Sequence, residues 1–296
     1  MSDIIVRGTN VEGTMRIYCA VTTDIVNEAQ KIHKTYPVAT AALGRTLTGA
    51  AIMGVSSLKN DTDSITVQIK GDGKIGNLIA VSDCMGGVRG YVGNPQIETV
   101  INDKGKLDVG GAVGQGFLNV IKDLGMKEPY IGQVPLVSGE IAEDLTSYYA
   151  VSEQIPSCIA LGVLVNTDGS VIAAGGFMIQ LMPGATDEMA QELMKTINSL
   201  EPVTKMISEG MSAEDMFFRV TEGFSVMMEN EGIIPQYKCT CSKERMERAL
   251  ISIGKTELET LIDEDGCAEL SCQFCNNKYN FNKEELTALL EFAKNV

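Results

Sequence analysis

Four of the eight cysteines in this 296-residue chain fall in two close pairs, Cys239-Thr240-Cys241 and Cys272-Gln273-Phe274-Cys275. Two such pairs, separated by roughly thirty residues, can fold together and present four sulfurs to one point, as a tetrahedral soft-metal site requires. Zinc is the default occupant of such a site. Cys272 to Cys275 has the spacing of a zinc knuckle, whereas Cys-x-Cys is uncommon in structural zinc sites and brings two thiols unusually close. Spacing alone leaves both a scaffolding zinc and a redox-active one open.

The other residues that could do chemistry carry less. His33 is the single histidine, so a Ser-His-Asp or Cys-His arrangement would have to use it, and no nucleophile is placed beside it. It falls near the end of a helical stretch, where a cation is mildly favoured, and reads as a surface or capping residue. Gly71-Asp-Gly73-Lys-Ile-Gly76 matches the dinucleotide fingerprint formally. That fingerprint needs a helix after the glycines, but Leu78-Ile-Ala-Val reads as a strand and Asp72-Gly73 as a hairpin turn. Gly110 to Gly116 is also glycine-rich, lacks the Lys-Ser or Lys-Thr of a phosphate loop, and reads as a turn. Cys19, Cys84 and Cys158 are isolated beside apolar residues, and core positions explain them.

A formal charge of -15 disfavours nucleic acid and anionic membrane surfaces, which bind through Lys and Arg. The first residues lack the pattern of a signal peptide, and no continuous apolar run reaches the roughly 18 residues of a membrane span. A cytoplasmic location is therefore expected. In that reducing compartment the clustered cysteines point to metal or redox chemistry rather than a disulfide framework.

Three regions of the chain frame these cysteines. Residues 1 to 182 read as one α+β domain of antiparallel strands linked by glycines and covering a few helices. Strands are expected over 15 to 22, from 65, 77 and 88 onward, over 146 to 151, 159 to 165 and 171 to 182, the last two joined at Asp168-Gly169. Ile25, Val26, Ala29 and Ile32 mark one helix; Pro37 opens another, whose Ala41, Ala42, Leu43, Leu47, Ala50, Ala51 and Met53 suit a central position between strands.

Residues 183 to 235 read as a helical linker. Thr186 precedes Met189, Leu193, Met194, Ile197 and Leu200; Pro202 opens a short helix closed by Gly210; Ser212 with Asp215 makes a capping box before Met216, Phe217 and Val220. Residues 183 to 232 carry ten Asp and Glu against three Lys and Arg, and nine of fifteen methionines lie between Met178 and Met228. An acidic, Met-rich, amphipathic segment suits a loosely held cover for an apolar surface as well as an ordinary packed helical hairpin.

Residues 236 to 296 hold the cysteine site and further capped helices: Met246 to Ile253 before Gly254, a turn or two opened by Thr256 with Glu259, and Asn282 with Glu285 before Leu286, Leu289 and Leu290. Asp265-Gly266 turns into a short strand reaching Cys272, and Tyr279 and Phe281 alternate on the return strand. A piece of this size has little core, so metal is expected to supply much of its folding free energy.

Cys-x-Cys-Ser-Lys-Glu-Arg at 239 to 245, and Cys-Gln-Phe-Cys-Asn at 272 to 276 followed by Tyr279 and Phe281, resemble the bacterial redox-regulated holdase family, the 33 kDa chaperonins. Ala41-Ala-Leu-Gly-Arg-Thr, Ala173-Ala-Gly-Gly-Phe and Gln180-Leu-Met-Pro-Gly extend the likeness over essentially the whole chain. The resemblance implies a cytoplasmic, ATP-independent chaperone for unfolding clients under oxidative stress, not an enzyme. It implies one zinc on Cys239, Cys241, Cys272 and Cys275 in an idle reduced form, and an oxidised form with Cys239-Cys241 and Cys272-Cys275 disulfides, zinc released. It also implies a regulatory linker over the Met-rich helices and a homodimer when active. Cys267 departs from the family pattern. Two other classes are weighed against this reading. A thiol-disulfide oxidoreductase would want its Cys-x-x-Cys at a helix N-terminus in a βαβ unit. An enzyme with a structural zinc appendage would need a polar active site within residues 1 to 182.

Overall fold

The computed structural model describes residues 2–103 and 105–294, and the chain divides into two compact units, Met1–Lys238 and Cys239–Val296. Both are mixtures of helix and antiparallel sheet, so the fold class is α+β.

In the first unit, β1 (Ile4–Asn10) and β2 (Met15–Val21) lead into α1 (Thr23–His33) and α2 (Pro37–Ser57), followed by β3 (Ser64–Gly71), β4 (Leu78–Ser82) and β5 (Gly87–Val92). A short α3 (Val109–Val113), β6 (Gly116–Asp123), β7 (Tyr130–Pro135), α4 (Ala142–Tyr148), β8 (Ser157–Val165) and β9 (Val171–Leu181) follow. Then come α5 (Asp187–Asn198), α6 (Val203–Ser208), α7 (Ala213–Val220), β10 (Val226–Met228) and β11 (Gln236–Tyr237). Two sheets result, ordered β10-β1-β2-β9-β8 and β11-β5-β4-β3-β6-β7. All the pairings are antiparallel except β11 on β5.

The helix α2 lies between the sheets, in contact with β4 and β5 on one side and β8 and β9 on the other. Its alanines and glycines permit that approach: a Cβ on Gly49 would meet Leu145 at 2.7 Å, and one on Gly54 would meet the Asp83 carbonyl at 2.5 Å. The buried hydroxyls of Thr46 and Thr48 donate to the Ala42 and Gly44 carbonyls one turn back, so they add no unsatisfied polar atom. By length and composition this helix could cross a bilayer, although no continuous apolar run suggested it; it is buried inside the protein along nearly its whole length.

The first sheet is apolar on both faces, which is why β9 reads as a nearly unbroken apolar run. Tyr18, Ala20, Ala174 and Met178 join the core around α2. Met15, Ile17, Cys19, Ala173, Phe177 and Ile179 instead join a second core with Leu193, Met206, Ile207, Met216, Phe217 and Val220 of α5, α6 and α7. The acidic, Met-rich helices therefore cover an apolar sheet face within the first unit. They fit closely where the strands lack side chains. Gly162 and Gly175 are cross-strand partners, and a Cβ there would stand 2.7 Å from Thr204 Cγ2 and 2.5 Å from Ile207 Cδ1 respectively. Expected caps are in place: the Thr186 hydroxyl accepts from Met189 N, and Ser212 and Asp215 cap each other reciprocally.

Two local expectations are corrected. Residues 146 to 151 are helical, α4 running into a π-helical turn over Tyr149–Glu153. Their strand-forming side chains are outweighed by the buried Asp144 carboxylate, which accepts hydrogen bonds from Val137 N at 2.7 Å and Ile141 N at 2.8 Å and so fixes the helix start. The glycine-rich stretch from 110 begins as α3 rather than as a turn, because the Asp108 side chain accepts from Gly111 N and nucleates a helical turn. The Gly71 to Gly76 stretch does connect two antiparallel strands, β3 and β4, which removes the helix a dinucleotide fingerprint requires.

Cys19 is buried and Cys158 half-buried, and burial pushes both thiols up. Cys84 is only partly a core residue, with Sγ 3.4 Å from the Asn60 carbonyl. His33 is half-buried at the end of α1, its Nε2 2.9 Å from the Gly90 carbonyl and 3.1 Å from the Tyr237 hydroxyl. It therefore ties α1 to β5 and β11.

One acid has a stability consequence. Asp3 accepts from Asp24 N and Ile25 N at 3.0 and 2.9 Å, capping α1, yet burial pushes its carboxyl from the ordinary 3.8 up to about 6. A raised value means that the native state holds the proton more tightly, so this contribution is complete below 3.8 and is lost as pH rises through about 6. Urea unfolding of wild type and Asp3→Asn should show the gap between them changing over that window. A gap independent of pH would contradict it.

Candidate metal centre

The second unit runs α8 (Lys243–Ser252), α9 (Lys255–Glu264), β12 (Cys267–Ser271), β13 (Lys278–Asn282) and α10 (Lys283–Lys294). Ser242 caps α8 by accepting from Arg245 N, and Asn282 and Glu285 cap each other at α10. The helix expected to open at Thr256 begins one residue earlier and runs ten residues, its N-cap Gly254 at φ 102°. Among the described residues, the buried core is Leu250, Leu258, Ile262, Phe281, Leu286 and Leu290, flanked by half-buried neighbours such as Met246, Leu270 and Tyr279.

β12 and β13 form an antiparallel hairpin from Cys267↔Asn282 to Ser271↔Lys278, and Cys272 to Cys275 occupies its turn. Cys272 N donates to the Asn277 carbonyl and Asn276 N donates to the Cys272 carbonyl, at 2.9 and 2.8 Å. Asn276 takes the left-handed conformation, φ 59°, that this tight return needs. Cys239 and Cys241 arrive on the loop before α8, where Arg245 Nη1 donates to Thr240 Oγ1 at 2.7 Å and holds the residue between them. The sulfurs of Cys239, Cys241, Cys272 and Cys275 all lie within 4.8 Å of one another. Sulfurs of the two pairs approach each other, Cys239 to Cys272 at 3.6 Å and Cys241 to Cys275 at 3.4 Å. A zinc with four bonds of about 2.3 Å sets its sulfurs about 3.8 Å apart, so this donor set fits a tetrahedral soft cation. All eight cysteines are free thiols in this structure.

Without a cation, four adjacent sulfurs cannot all ionise, and the charge settles unevenly. Burial resists ionisation of Cys241, but hydrogen bonds from the Tyr279 hydroxyl and the neighbouring thiols prevail and bring it down to about 7. Burial, together with the surrounding thiols, pushes Cys239 and Cys275 up. A bound dication reverses that balance by favouring the thiolate at every ligand.

Cys267 stands apart: exposed, at the start of β12 and paired with Asn282 at the end of the hairpin away from the knuckle. Cys267→Ser should therefore bind as much zinc as wild type, whereas Cys272→Ser should lose it. Equal loss in both variants, read by metal analysis of the purified protein, would refute this assignment. The Tyr279 hydroxyl, 3.1 Å from Cys241 Sγ, was not foreseeable in detail. The sequence places an aromatic on the return strand but does not say which sulfur it meets. Cys272 to Cys275 lies in a hairpin turn and not at a helix N-terminus, unlike the motif of a thiol-disulfide oxidoreductase.

A family model described as Hsp33 protein matches residues 3–282. The chain belongs to the Hsp33 family. The 33 kDa chaperonin of Ruminiclostridium cellulolyticum is 48% identical over 98% of this chain and 99% of its own length. That of Clostridioides difficile is 50% identical over 98% and 99% respectively. The crystal structure of the 33 kDa chaperonin from Thermotoga maritima superposes with a TM-score of 0.90 at 40% identity, covering 100% of both chains. The resemblance carried by the cysteine motifs is borne out, as is the α+β class. Membership extends over both units, so the relation does not rest on the cysteine site alone.

Proposed function

We propose that this protein is a cytoplasmic, ATP-independent holdase whose client binding is switched on by oxidation. The observation that carries this reading is the convergence of four thiols, in an Hsp33-family chain, inside a unit whose buried core comprises six side chains among the described residues. Cys239, Cys241, Cys272 and Cys275 would hold one zinc in the idle, reduced form. When bound, zinc supplies the charge that keeps all four sulfurs deprotonated, and so nucleophilic, at neutral pH.

The oxidation itself is carried out by the cysteines. A thiolate of one pair attacks a peroxide oxygen, the O–O bond breaks, and the departing hydroxide takes a proton to become water. Its partner then displaces hydroxide from the sulfenic sulfur, which leaves as a second water. One disulfide forms, and two electrons pass to one peroxide. We place the disulfides within the pairs, Cys239-Cys241 and Cys272-Cys275. Each removes two sulfurs from the donor set, and the second unit then loses most of what holds it folded.

The helices α5 to α7 are the regulatory element in this reading. They cover an apolar sheet face, and the strand β11 that follows them ends at Tyr237, two residues before Cys239. Melting beyond Cys239 frees that end, the helices undock, and the apolar face and the Met-rich segment become available to unfolding clients. Nothing in this cycle uses a nucleotide or a substrate, in keeping with a chaperone rather than an enzyme. The charge of -15 argues against nucleic acid and anionic membranes as partners. The active, oxidised form is proposed to be a homodimer.

Light scattering of a thermally unfolding client tests the reading, with reduced, peroxide-treated and re-reduced protein and no ATP. Protection should require oxidation together with mild heat and should disappear on re-reduction. Equal protection by the reduced zinc form would leave a constitutive binder with a structural metal.

A further inference from the structure

We propose that Tyr279 is a positioning residue that restrains the oxidation of Cys241, its hydroxyl holding that sulfur by a hydrogen bond. The geometry is direct: Tyr279 Oη donates to Cys241 Sγ at 3.1 Å. The strand β13 leaves the knuckle three residues after Cys275 and carries the hydroxyl across to the other cysteine pair. Its backbone is held by pairing of Tyr279 with Leu270 of β12. Two residues on, Phe281 is buried in the small core and anchors the strand. The hydroxyl is thus delivered by a fixed strand rather than by a mobile side chain on a loop.

A hydrogen bond to sulfur engages the lone-pair density with which that atom attacks an oxidant. Outer-shell donors of this kind tune metal-site ligands and their reactivity. The step affected is the first one at this pair: Cys241 Sγ attacks the peroxide oxygen, the O–O bond breaks and hydroxide leaves to be protonated. Cys239 then displaces hydroxide from the Cys241 sulfenic sulfur to close the disulfide. Removing the donor should accelerate the attack by Cys241 without altering the number of ligands. This inference rests on the redox reading of the site, and its test separates the two.

The experiment uses full-length, reduced, zinc-loaded wild type, Tyr279→Phe and Leu270→Ala. Zinc content is measured first. Free thiol at each cysteine is then followed by isotope-coded alkylation and mass spectrometry during the first few per cent of reaction with hydrogen peroxide. Tyr279→Phe should keep one zinc per chain and lose free thiol at Cys241 initially roughly three- to tenfold faster than wild type. The initial rate at Cys272 should be unchanged. Leu270→Ala, which loosens the hairpin but keeps the hydroxyl, should not reproduce that selectivity. An unchanged Cys241 rate in Tyr279→Phe overturns the proposal. So does loss of zinc in that variant, since the hydroxyl would then be holding the site together, and so does the same selective acceleration in Leu270→Ala. Wild-type cysteines that formed no disulfide at all with peroxide would instead sink the redox reading of the site.

Discussion

Cys272→Ser should leave residues 239 to 296 without stable structure in a protein whose first unit keeps its fold. Cys272 is 4% exposed, and its backbone closes the knuckle through Asn276 and Asn277. Among the described residues, Leu250, Leu258, Ile262, Phe281, Leu286 and Leu290 are the core that remains. A domain of this size is marginal on its own, whereas a structural zinc contributes roughly 10 kcal/mol or more. In the proposed zinc-bound form, losing the metal therefore outweighs what that core supplies. Hydrogen exchange should show protection lost throughout 239 to 296 and retained in β3 and β6, and chelation of wild type should give the same map. Retained protection in the second unit of Cys272→Ser would mean that its core suffices without metal. The same map reads the coupling: exchange that also accelerates in α5 to α7 links the helices to the metal site, and exchange confined to 239 to 296 separates them.

The second large effect is expected at Phe217. Its side chain is 0% exposed and occupies the space over Gly8 of β1, where an added Cβ would stand 2.7 Å from the ring. Phe217→Ala should cost about 3 to 5 kcal/mol. Leu193→Ala, also buried in this second core, should cost about 2 to 5 kcal/mol. Because these residues belong to the helices that cover the sheet, the cost should appear first as undocking of α5 to α7 rather than as global unfolding. Both variants should bind an environment-sensitive hydrophobic dye and protect clients at a lower peroxide dose than wild type. The neighbouring Phe218 is 53% exposed on the same helix, so Phe218→Ala should change stability by roughly 0.5 kcal/mol or less. A Phe217→Ala protein that needed the wild-type dose would separate helix docking from the switch.

Much of this was legible because the signals were local. Ser212 and Asp215, or Asn282 and Glu285, need only their own chain neighbours to cap a helix, and both pairs do so. The alanine-rich face after Pro37 announced a helix closely surrounded by strands, and α2 is one. Residues 146 to 151 misled because Tyr148, Tyr149 and Val151 favour a strand, while the deciding group, the Asp144 carboxylate, acts through backbone amides of Val137 and Ile141. His33 has a similar history. Its helix-end position was readable, but its contacts to Gly90 and Tyr237 come from distant parts of the chain. At the cysteine cluster, residue type and spacing identified the four sulfurs that converge. They could not say that Cys239 would come within 3.6 Å of Cys272 and Cys241 within 3.4 Å of Cys275, since that depends on how the hairpin meets the loop before α8.

The pairing of β10 with β1 gives the covering helices an unusual boundary condition. Leu181 ends β9 and Val226 begins β10, and both strands belong to the same sheet. As long as β10 stays paired, the roughly forty residues between them undock as a loop closed at both ends, not as a free tail. Closure of a loop that long withholds about 3 kcal/mol of chain entropy from the undocked state. It also keeps the helices at an effective concentration on the order of millimolar over the face they left. In the proposed holdase cycle, clients on that face would compete with a tethered rival that never diffuses away, and rebinding of the helices would displace them without any consumption of ATP.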